Sequence, residues 1–134
     1  MVTTREGAGP VGAEPLLVAE DIRKHYDVGA HQVLKAVDGV SFEIYRGESV
    51  GLAGESGCGK STCARCVLGL TQLTDGVVRF KGEDIAGLRG ADLMAFRKDA
   101  QMVFQDPYAS LDPRLTVADI VAEGIDVHGL AKGR

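Results

Sequence analysis

The sequence predicts an α/β fold, and three patterns along its 134 residues support this prediction. Segments that alternate apolar and polar residues occupy much of the first half and are typical of half-buried strands. A glycine-rich stretch then separates an apolar strand from a segment with helical spacing. The last third contains two further segments with helical patterns. Strands followed by a strand–loop–helix unit are characteristic of the α/β class.

The predicted strands show alternating apolar residues or short apolar runs between turn residues. They cover 16–22, 40–45, 49–53, 77–81 and 101–104. The predicted helices show apolar residues three and four positions apart. They cover 60–70, 91–98 and 116–127. Residues 1–15 are rich in Gly, Pro, Thr and Ala, which predicts a disordered lead-in ahead of one domain over 16–134.

Composition narrows the classes of function. The net charge is −4, from 15 basic and 19 acidic residues, which argues against a nucleic-acid partner because such a partner needs a clustered basic surface. No apolar run approaches the roughly 18 residues of a membrane-spanning helix. Residues 1–15 lack the apolar segment of a secretory signal. A cytoplasmic protein is the expectation.

Three cysteines, Cys58, Cys63 and Cys66, fall close together in the middle of the chain. An odd number in one short stretch makes a poor disulfide framework. The Cys63-x-x-Cys66 pair has no second pair to complete a zinc site. We therefore interpret these side chains as small apolar residues on one helix.

Residues 54–61, Gly-Glu-Ser-Gly-Cys-Gly-Lys-Ser, match the phosphate-binding pattern G-x-x-x-x-G-K-S/T in full. This pattern, the P-loop, must follow a buried strand and open a helix, and the predicted elements at 49–53 and 60–70 meet that requirement. The glycines permit backbone angles that turn N–H groups inward around a phosphate. The helix N-terminus adds unpaired amides and the positive end of its dipole.

The motif predicts a role for each residue of the loop and of the first helical turn. Lys60 supplies a mobile positive charge for the β- and γ-phosphates, the Ser61 hydroxyl is a Mg²⁺ ligand, and Thr62 contacts the α-phosphate. The candidate nucleotide-binding residues of this motif are Gly54, Glu55, Ser56, Gly57, Cys58, Gly59, Lys60, Ser61 and Thr62. A P-loop by itself indicates a nucleoside triphosphate and leaves the class of protein open.

Further segments resemble the ATPases of ABC transporters: Leu-Lys-Ala-Val-Asp-Gly-Val-Ser-Phe at 34–42, Arg-Gly-Glu at 46–48, and the P-loop itself. The resemblance implies that ATP with Mg²⁺ is the ligand and that Tyr26 stacks on the adenine ring. Met-Val-Phe-Gln-Asp-Pro at 102–107 resembles the Q-loop of the same family. It implies that Gln105 offers its amide oxygen to Mg²⁺ and to the attacking water, which makes Lys60 and Gln105 the candidate catalytic residues.

Residues 105–117 are similar to the corresponding stretch in ATPases of oligopeptide and dipeptide importers. This similarity implies a cytoplasmic subunit, peripheral on the inner face of the cell membrane, that couples ATP binding and hydrolysis to peptide uptake. It also implies contacts with the membrane permease through Tyr108, Ser110, Leu111 and Pro113, and a head-to-tail dimer with a second ATPase subunit. The cargo is not encoded here, since nickel and other importers share similar ATPases.

The resemblance also shows what the chain does not contain. An LSGGQ signature, a Walker B aspartate with its catalytic glutamate, and a switch histidine do not occur in the sequence. His128 precedes the point at which the signature would begin and is not assigned that role. We therefore expect a truncated ABC ATPase: a P-loop core with an N-terminal antiparallel β-subdomain and the start of a helical subdomain. It should bind ATP–Mg²⁺ with negligible hydrolysis, because no carboxylate positions the attacking water.

Three other interpretations stay open. A GTPase is suggested by Asp-Ile-Ala-Gly at 84–87, which matches DxxG, but no NKxD pattern is present to recognise guanine. A non-transport ABC ATPase, such as a DNA-repair or translation factor, would share the P-loop and the Q-loop. The net negative charge and the similarity of residues 105–117 to peptide-importer ATPases argue against a non-transport ABC ATPase. A non-catalytic nucleotide-binding remnant is the third, if the native chain ends at Arg134.

Overall fold

The computed structural model describes residues 2–6, 12–29, 32–106 and 111–131, with backbone alone for 2–6. The chain divides into two units, Met1–Arg89 and Gly90–Arg134. The first unit holds all the strands of the described chain and one α-helix. The second holds two α-helices and the connection between them. The α/β class predicted from the sequence is confirmed.

An antiparallel sheet of four strands in the order β3-β2-β5-β6 forms the main part of the first unit. Its strands are β2 Leu17–Asp27, β3 Val33–Ile44, β5 Asp75–Phe80 and β6 Glu83–Asp84. The predicted strands at 16–22 and 40–45 are confirmed, but both extend further into polar sequence. They do so because polar residues such as Arg23 and His25 pair with side chains of the neighbouring strands, so polarity at these positions does not end the strand.

The core of the first unit lies between this sheet and helix α1, Lys60–Val67. Ile22, Val78 and Cys63 are almost completely removed from solvent, at 0%, 1% and 0% exposure. Leu17, Ala19, Val37 and Val67 complete the buried cluster. Burying an aliphatic side chain of this size contributes about 1.5–3 kcal/mol, so the α1–sheet contact is the main hydrophobic source of stability here.

A β-bulge shifts the register of β2 against β5 and against β3 near Asp21. Asp21 has a left-handed backbone with φ of 47°, and its N–H donates to Ser41 Oγ at 2.8 Å. A Cβ built on Gly76 would collide with the Asp21 carbonyl and with Ile22 Cα. Glycine at position 76 therefore lets β5 approach β2 at the bulge, where any side chain would push the strands apart.

The strand predicted at 49–53 is present as β4, Ser49–Ala53, and it pairs antiparallel with β1, Val2–Glu6. The register runs from Val2 opposite Ala53 to Glu6 opposite Ser49. The expectation of a disordered lead-in over 1–15 is therefore not met at Val2–Glu6. The physical reason is that β4 presents an edge of unpaired N–H and C=O groups, and an extended segment satisfies them. Every strand pair among the described residues is antiparallel.

A short 3₁₀ helix, Ile85–Gly87, follows β6. The Asp84 carboxylate caps it by accepting from the Ala86 N–H at 2.9 Å. The residues that match DxxG thus form a local capped turn, which accounts for this Asp–Gly spacing without a phosphate sensor.

The second unit contains α2, Gly90–Asp99, and α3, Val117–Val127. Both confirm predicted helices to within one residue at each end. Thr116 caps α3, accepting from the Asp119 N–H at 3.2 Å. The strand predicted at 101–104 is wrong: these residues have no regular structure, and Val103 is 96% exposed. An apolar run becomes a strand only where a neighbouring strand accepts its backbone hydrogen bonds, and none is paired with it.

Within the described ranges, no helix has both the length and the apolar character that crossing a bilayer requires.

Candidate nucleotide-binding site

The loop at 54–59 connects the end of β4 at Ala53 to the start of α1 at Lys60. The strand–loop–helix order that the motif requires is therefore present. The expectation of a buried strand is not met, because β4 pairs only with β1 in the described part of the chain and has no buried residue. The loop is largely exposed, with Cys58, Gly59 and Lys60 half-buried where it meets the helix. The Cys58 N–H donates to the Glu55 carbonyl at 3.3 Å and closes a tight turn within the loop.

Two glycines of the loop have a backbone that other residues rarely adopt. Gly57 has φ of 81°, and Gly59, the N-cap of α1, has φ of 93°. A Cβ on Gly59 would also run into the carbonyl oxygen of Ala36 on β3. Position 59 therefore needs glycine both for its left-handed backbone and for the close approach of the loop to the sheet. This contact fixes the start of α1 against β3.

The N-terminus of α1 presents amides that the helix itself does not use. The N-cap makes no side-chain hydrogen bond, and the amide of Cys63 donates to the Gly59 carbonyl at 2.8 Å. The amides of Lys60, Ser61 and Thr62 precede this bond and have no acceptor inside the helix. Together with the positive end of the helix dipole, they form a favourable environment for an anion.

The Lys60 side chain folds back across the loop. Its ammonium donates to the Gly54 carbonyl at 2.9 Å and to the Glu55 carbonyl at 2.6 Å. It also lies 3.6 Å from Cys58 Sγ. The two carbonyl partners are uncharged, so a phosphate can compete for the ammonium with a stronger, charge-assisted hydrogen bond. Lys60 is thus positioned over the same loop whose amides would hold that phosphate.

Ser61 is exposed and Thr62 is half-buried on the first turn of α1. Their hydroxyls are oxygen ligands of the kind that Mg²⁺ and phosphate groups prefer. Glu55 and Ser56 are exposed on the outer part of the loop.

Tyr26 lies near the end of β2, opposite Leu34 of β3, and is 38% exposed. Two residues beyond Leu34, the carbonyl of Ala36 contacts the loop at Gly59. The same pair of strands therefore carries both the aromatic side chain and the backbone that seats the loop. An exposed aromatic ring on this edge has a free π surface of the kind on which bases stack.

Gln105 and the segment that follows belong to the second unit. Gln105 is exposed in the irregular stretch after α2. Tyr108 and Ser110 lie outside the described residues, whereas Leu111 and Pro113 are exposed. The structure thus groups the loop and Tyr26 in one unit and places Gln105, Leu111 and Pro113 in the other.

The family model described as ABC transporter matches residues 37–132, which is more than half of the sequence. The chain belongs to the ABC transporter family. The resemblance drawn from its P-loop and Q-loop is confirmed.

Curated relatives of this ABC family chain are named for peptide transport. It is 52% identical over 120 residues to the oligopeptide transport ATP-binding protein OppF of Bacillus subtilis, covering 89% of this chain and 39% of that protein. It is 44% identical over 120 residues to OppF of Escherichia coli, covering 84% and 36%. It is 46% identical over 123 residues to the dipeptide transport ATP-binding protein DppF of Lactococcus lactis, covering 89% and 39%. The chain spans well under half the length of these relatives.

Solved structures show the fold of ABC cassettes. A dimeric ATP-binding cassette in a post-hydrolysis state, bound to ADP and Pi, matches with a TM-score of 0.59 and 20% identity, over 88% of this chain and 49% of that one. CbiO1 of Clostridium perfringens, part of an ABC transporter complex, matches with a TM-score of 0.58 and 23% identity, over 85% and 49%. At these identities the likeness establishes the fold of this ABC chain.

Cys63 and Cys66 belong to the core on α1, as interpreted from the sequence, whereas Cys58 lies outside this helix, contrary to that interpretation. Burial raises the pKa of the Cys63 thiol to about 11 and raises the pKa of Cys66 as well. All three cysteines are free, and Cys58 alone lies on the loop. In the part of the chain that the structure describes, no cluster of His, Cys, Asp or Glu could hold a metal ion.

Sequence reasoning missed Lys24 of this ABC chain. Its ammonium lies 4.9 Å from the centroid of the Tyr26 ring. The available signal was the strand period, because residues two apart on a strand share a face.

Proposed function

We propose that this chain is the nucleotide-binding front portion of an ABC importer ATPase that couples ATP binding and hydrolysis to uptake of oligopeptides or dipeptides. The observation that carries the proposal is the loop between β4 and α1, where Lys60 lies across left-handed glycines in front of unpaired helix amides. Relatives named for oligopeptide and dipeptide transport support the cargo class.

In this proposal the loop amides and the N-terminus of α1 bind the phosphates of ATP. The Lys60 ammonium leaves the carbonyls of Gly54 and Glu55 and pairs with the β- and γ-phosphates. Thr62 donates its hydroxyl to the α-phosphate. Tyr26 stacks against the adenine ring, a contact worth about 1–3 kcal/mol per base in nucleic-acid systems.

The residues present also suit Mg²⁺. Ser61 is exposed on the first turn of α1, next to the proposed phosphate site, and its hydroxyl is a hard oxygen ligand. Gln105 is proposed as a further ligand through its exposed amide oxygen, and as the residue that orients the attacking water. Bound Mg²⁺ would neutralise phosphate charge during transfer.

The proposal extends to partners by analogy with the family. The segment from Tyr108 to Pro113 is proposed to contact the membrane permease, and the exposure of Leu111 and Pro113 supports this. A second ATPase subunit is proposed to complete the site in a head-to-tail dimer. The location that follows is cytoplasmic, peripheral on the inner face of the cell membrane.

Calorimetric titration of the purified chain with ATP in Mg²⁺ tests nucleotide binding. The Lys60→Ala variant should lose binding, whereas Lys98→Ala, which removes an exposed lysine on α2, should bind like the wild type. Phosphate release should stay at background, because no carboxylate in the sequence positions the attacking water. Equal affinity of the wild type and Lys60→Ala would contradict the proposed site. Release that scales with protein concentration and disappears in Lys60→Ala would contradict the expected lack of turnover.

A further inference from the structure

Lys24 and Tyr26 lie on the same face of β2, two residues apart. Ile22, two residues before Lys24, is fully buried in the core that β2 shares with α1. The strand period therefore places Ile22, Lys24 and Tyr26 in a row on the face that α1 covers. Exposure rises along this row, from buried Ile22 through half-buried Lys24 to Tyr26 at 38%.

The Lys24 ammonium lies 4.9 Å from the centroid of the Tyr26 ring. This distance is within the range of about 6 Å over which a cation is attracted to the face of an aromatic ring. The charge of Lys24 also acts on the thiol of Cys66, where it opposes the rise in pKa caused by burial. The charge of Lys24 thus acts both on the Tyr26 ring of β2 and on a side chain of α1.

Neighbouring polar side chains of β2 and β3 pair with other groups. Arg23 pairs with Asp21 and Asp75 at 2.7 and 3.0 Å. His25 and Lys35 both contact Asp38, at 3.0 and 3.1 Å. Arg23 and His25 alternate with Lys24 and Tyr26 along β2 and form a separate polar network with side chains of β3 and β5.

We propose that Lys24 is a positioning residue for the nucleotide base, holding one face of the Tyr26 ring so that the opposite face accepts a purine. The inference rests on the proposed stacking of adenine on Tyr26. A cation on one face fixes the ring orientation before binding, which reduces the entropy lost on stacking. It also withdraws π-electron density from the opposite face, which favours contact with an electron-rich purine.

The test compares a ligand that has a base with one that lacks it. Titrations with ATP and with inorganic tripolyphosphate, both in Mg²⁺, are carried out on the wild type, Lys24→Met, Lys24→Arg and Tyr26→Ala. Lys24→Met keeps a long apolar side chain over the ring and removes the charge. It should weaken ATP binding by at most about two- to fivefold, because the contact is already present in the free protein and the energy of one exposed cation–π contact is the upper limit of its effect on binding. Tripolyphosphate binding should not change, and Lys24→Arg should restore ATP binding.

A double variant and a matched control complete the design. In the Tyr26→Ala background, Lys24→Met should have no further effect on ATP binding. Lys35→Met removes the same charge from the same sheet, away from the ring, and should leave ATP affinity unchanged. Thermal unfolding of each variant verifies that it is folded.

Each outcome separates the inference from the proposed function. Wild-type ATP affinity in Lys24→Met, with weakened binding in Tyr26→Ala, would overturn the role of Lys24 and leave the stacking intact. Equal weakening of ATP and tripolyphosphate in Lys24→Met would mean a general charge effect and would also overturn it. Wild-type ATP affinity in Tyr26→Ala would refute the stacking itself, and with it the basis of the inference.

Discussion

In the first unit, the side chains of Ile22, Val78 and Cys63 are at most 1% exposed to solvent. In the second unit, Val117 and Val121 of α3 are 78% and 67% exposed. Both sets follow an amphipathic pattern in the sequence. The residues of the first set are buried by other residues of the same unit, because α1 packs on the sheet. Among the described residues of α3, none is buried. An apolar pattern in the sequence thus predicts a helix or a strand. Whether its apolar residues are buried depends on a second surface that packs against them.

The residues of the proposed site also differ between the units in how firmly contacts hold them in place. The loop is fixed by contacts inside the first unit: Gly59 against Ala36, and Lys60 against the carbonyls of Gly54 and Glu55. Gln105 lies in an irregular, exposed stretch of the second unit. The geometry for phosphate binding is therefore set by the first unit alone, and the variants below test this difference.

The largest contrast is expected between two glycines. Gly59→Ala places a Cβ into the Ala36 carbonyl at a left-handed backbone position, which costs about 1–2 kcal/mol before the collision is counted. Gly124→Ala adds a Cβ in open space on α3 and should gain up to about 1 kcal/mol from helix propensity. Urea unfolding measures both. A Gly59→Ala protein as stable as the wild type would contradict the close approach of the loop to β3.

Two valines give the next contrast. Val78→Ala opens a space in the core of the first unit and should cost about 2 kcal/mol. Val121→Ala, the same chemical change on exposed α3, should shift the free energy of unfolding by less than about 0.5 kcal/mol. Equal losses in urea unfolding would show that the face of α3 is covered after all.

Acidification gives a smaller effect that again concerns the first unit. Hydrogen bonds from Lys35 and then from His25 lower the pKa of Asp38 below its ordinary 3.8, and bonds from the Gly76 N–H and then from Arg23 lower that of Asp75. A depressed folded-state pKa contributes stability above the unfolded pKa, and this is lost as pH falls through the folded value. Stability should therefore decline below about pH 4. Urea midpoints across this range should change less in Asp38→Asn, and an unchanged acid profile in that variant would contradict the assignment.

The elements that the sequence predicted well carry local signals. Helix α1 begins at Lys60 directly after the glycines, as expected, and α3 begins one residue after its predicted start, because Thr116 is its N-cap. The polar halves of β2 and β3 were missed because pairs such as His25 with Asp38 join residues far apart in the chain. Pairing of β1 with β4 was missed for the same reason.

In the candidate site, too, features with a local sequence signal were predicted and features that depend on distant residues were not. The P-loop was found from its spacing, and the structure supplies the strand before it and the helix after it. The approach of Gly59 to Ala36 was not found, because it depends on how β3 and the start of α1 pack. The approach of Lys24 to Tyr26 was missed although the strand period places residues two apart on one face. The roles of the loop residues, Tyr26 and Gln105 stay predictions.

Thiol labelling at Cys58 tests nucleotide binding at the loop most directly. Cys58 lies on the loop with its Sγ 3.6 Å from Lys60 Nζ, while Cys63 and Cys66 are buried and serve as internal controls. In the native chain an alkylating reagent should modify Cys58 alone, because burial and a raised pKa keep the other two thiols unreactive. Saturating ATP with Mg²⁺ should slow this reaction strongly in the wild type and leave it unchanged in Lys60→Ala. Equal rates of Cys58 alkylation with and without ATP–Mg²⁺ in the wild type would contradict the binding of nucleotide by this loop.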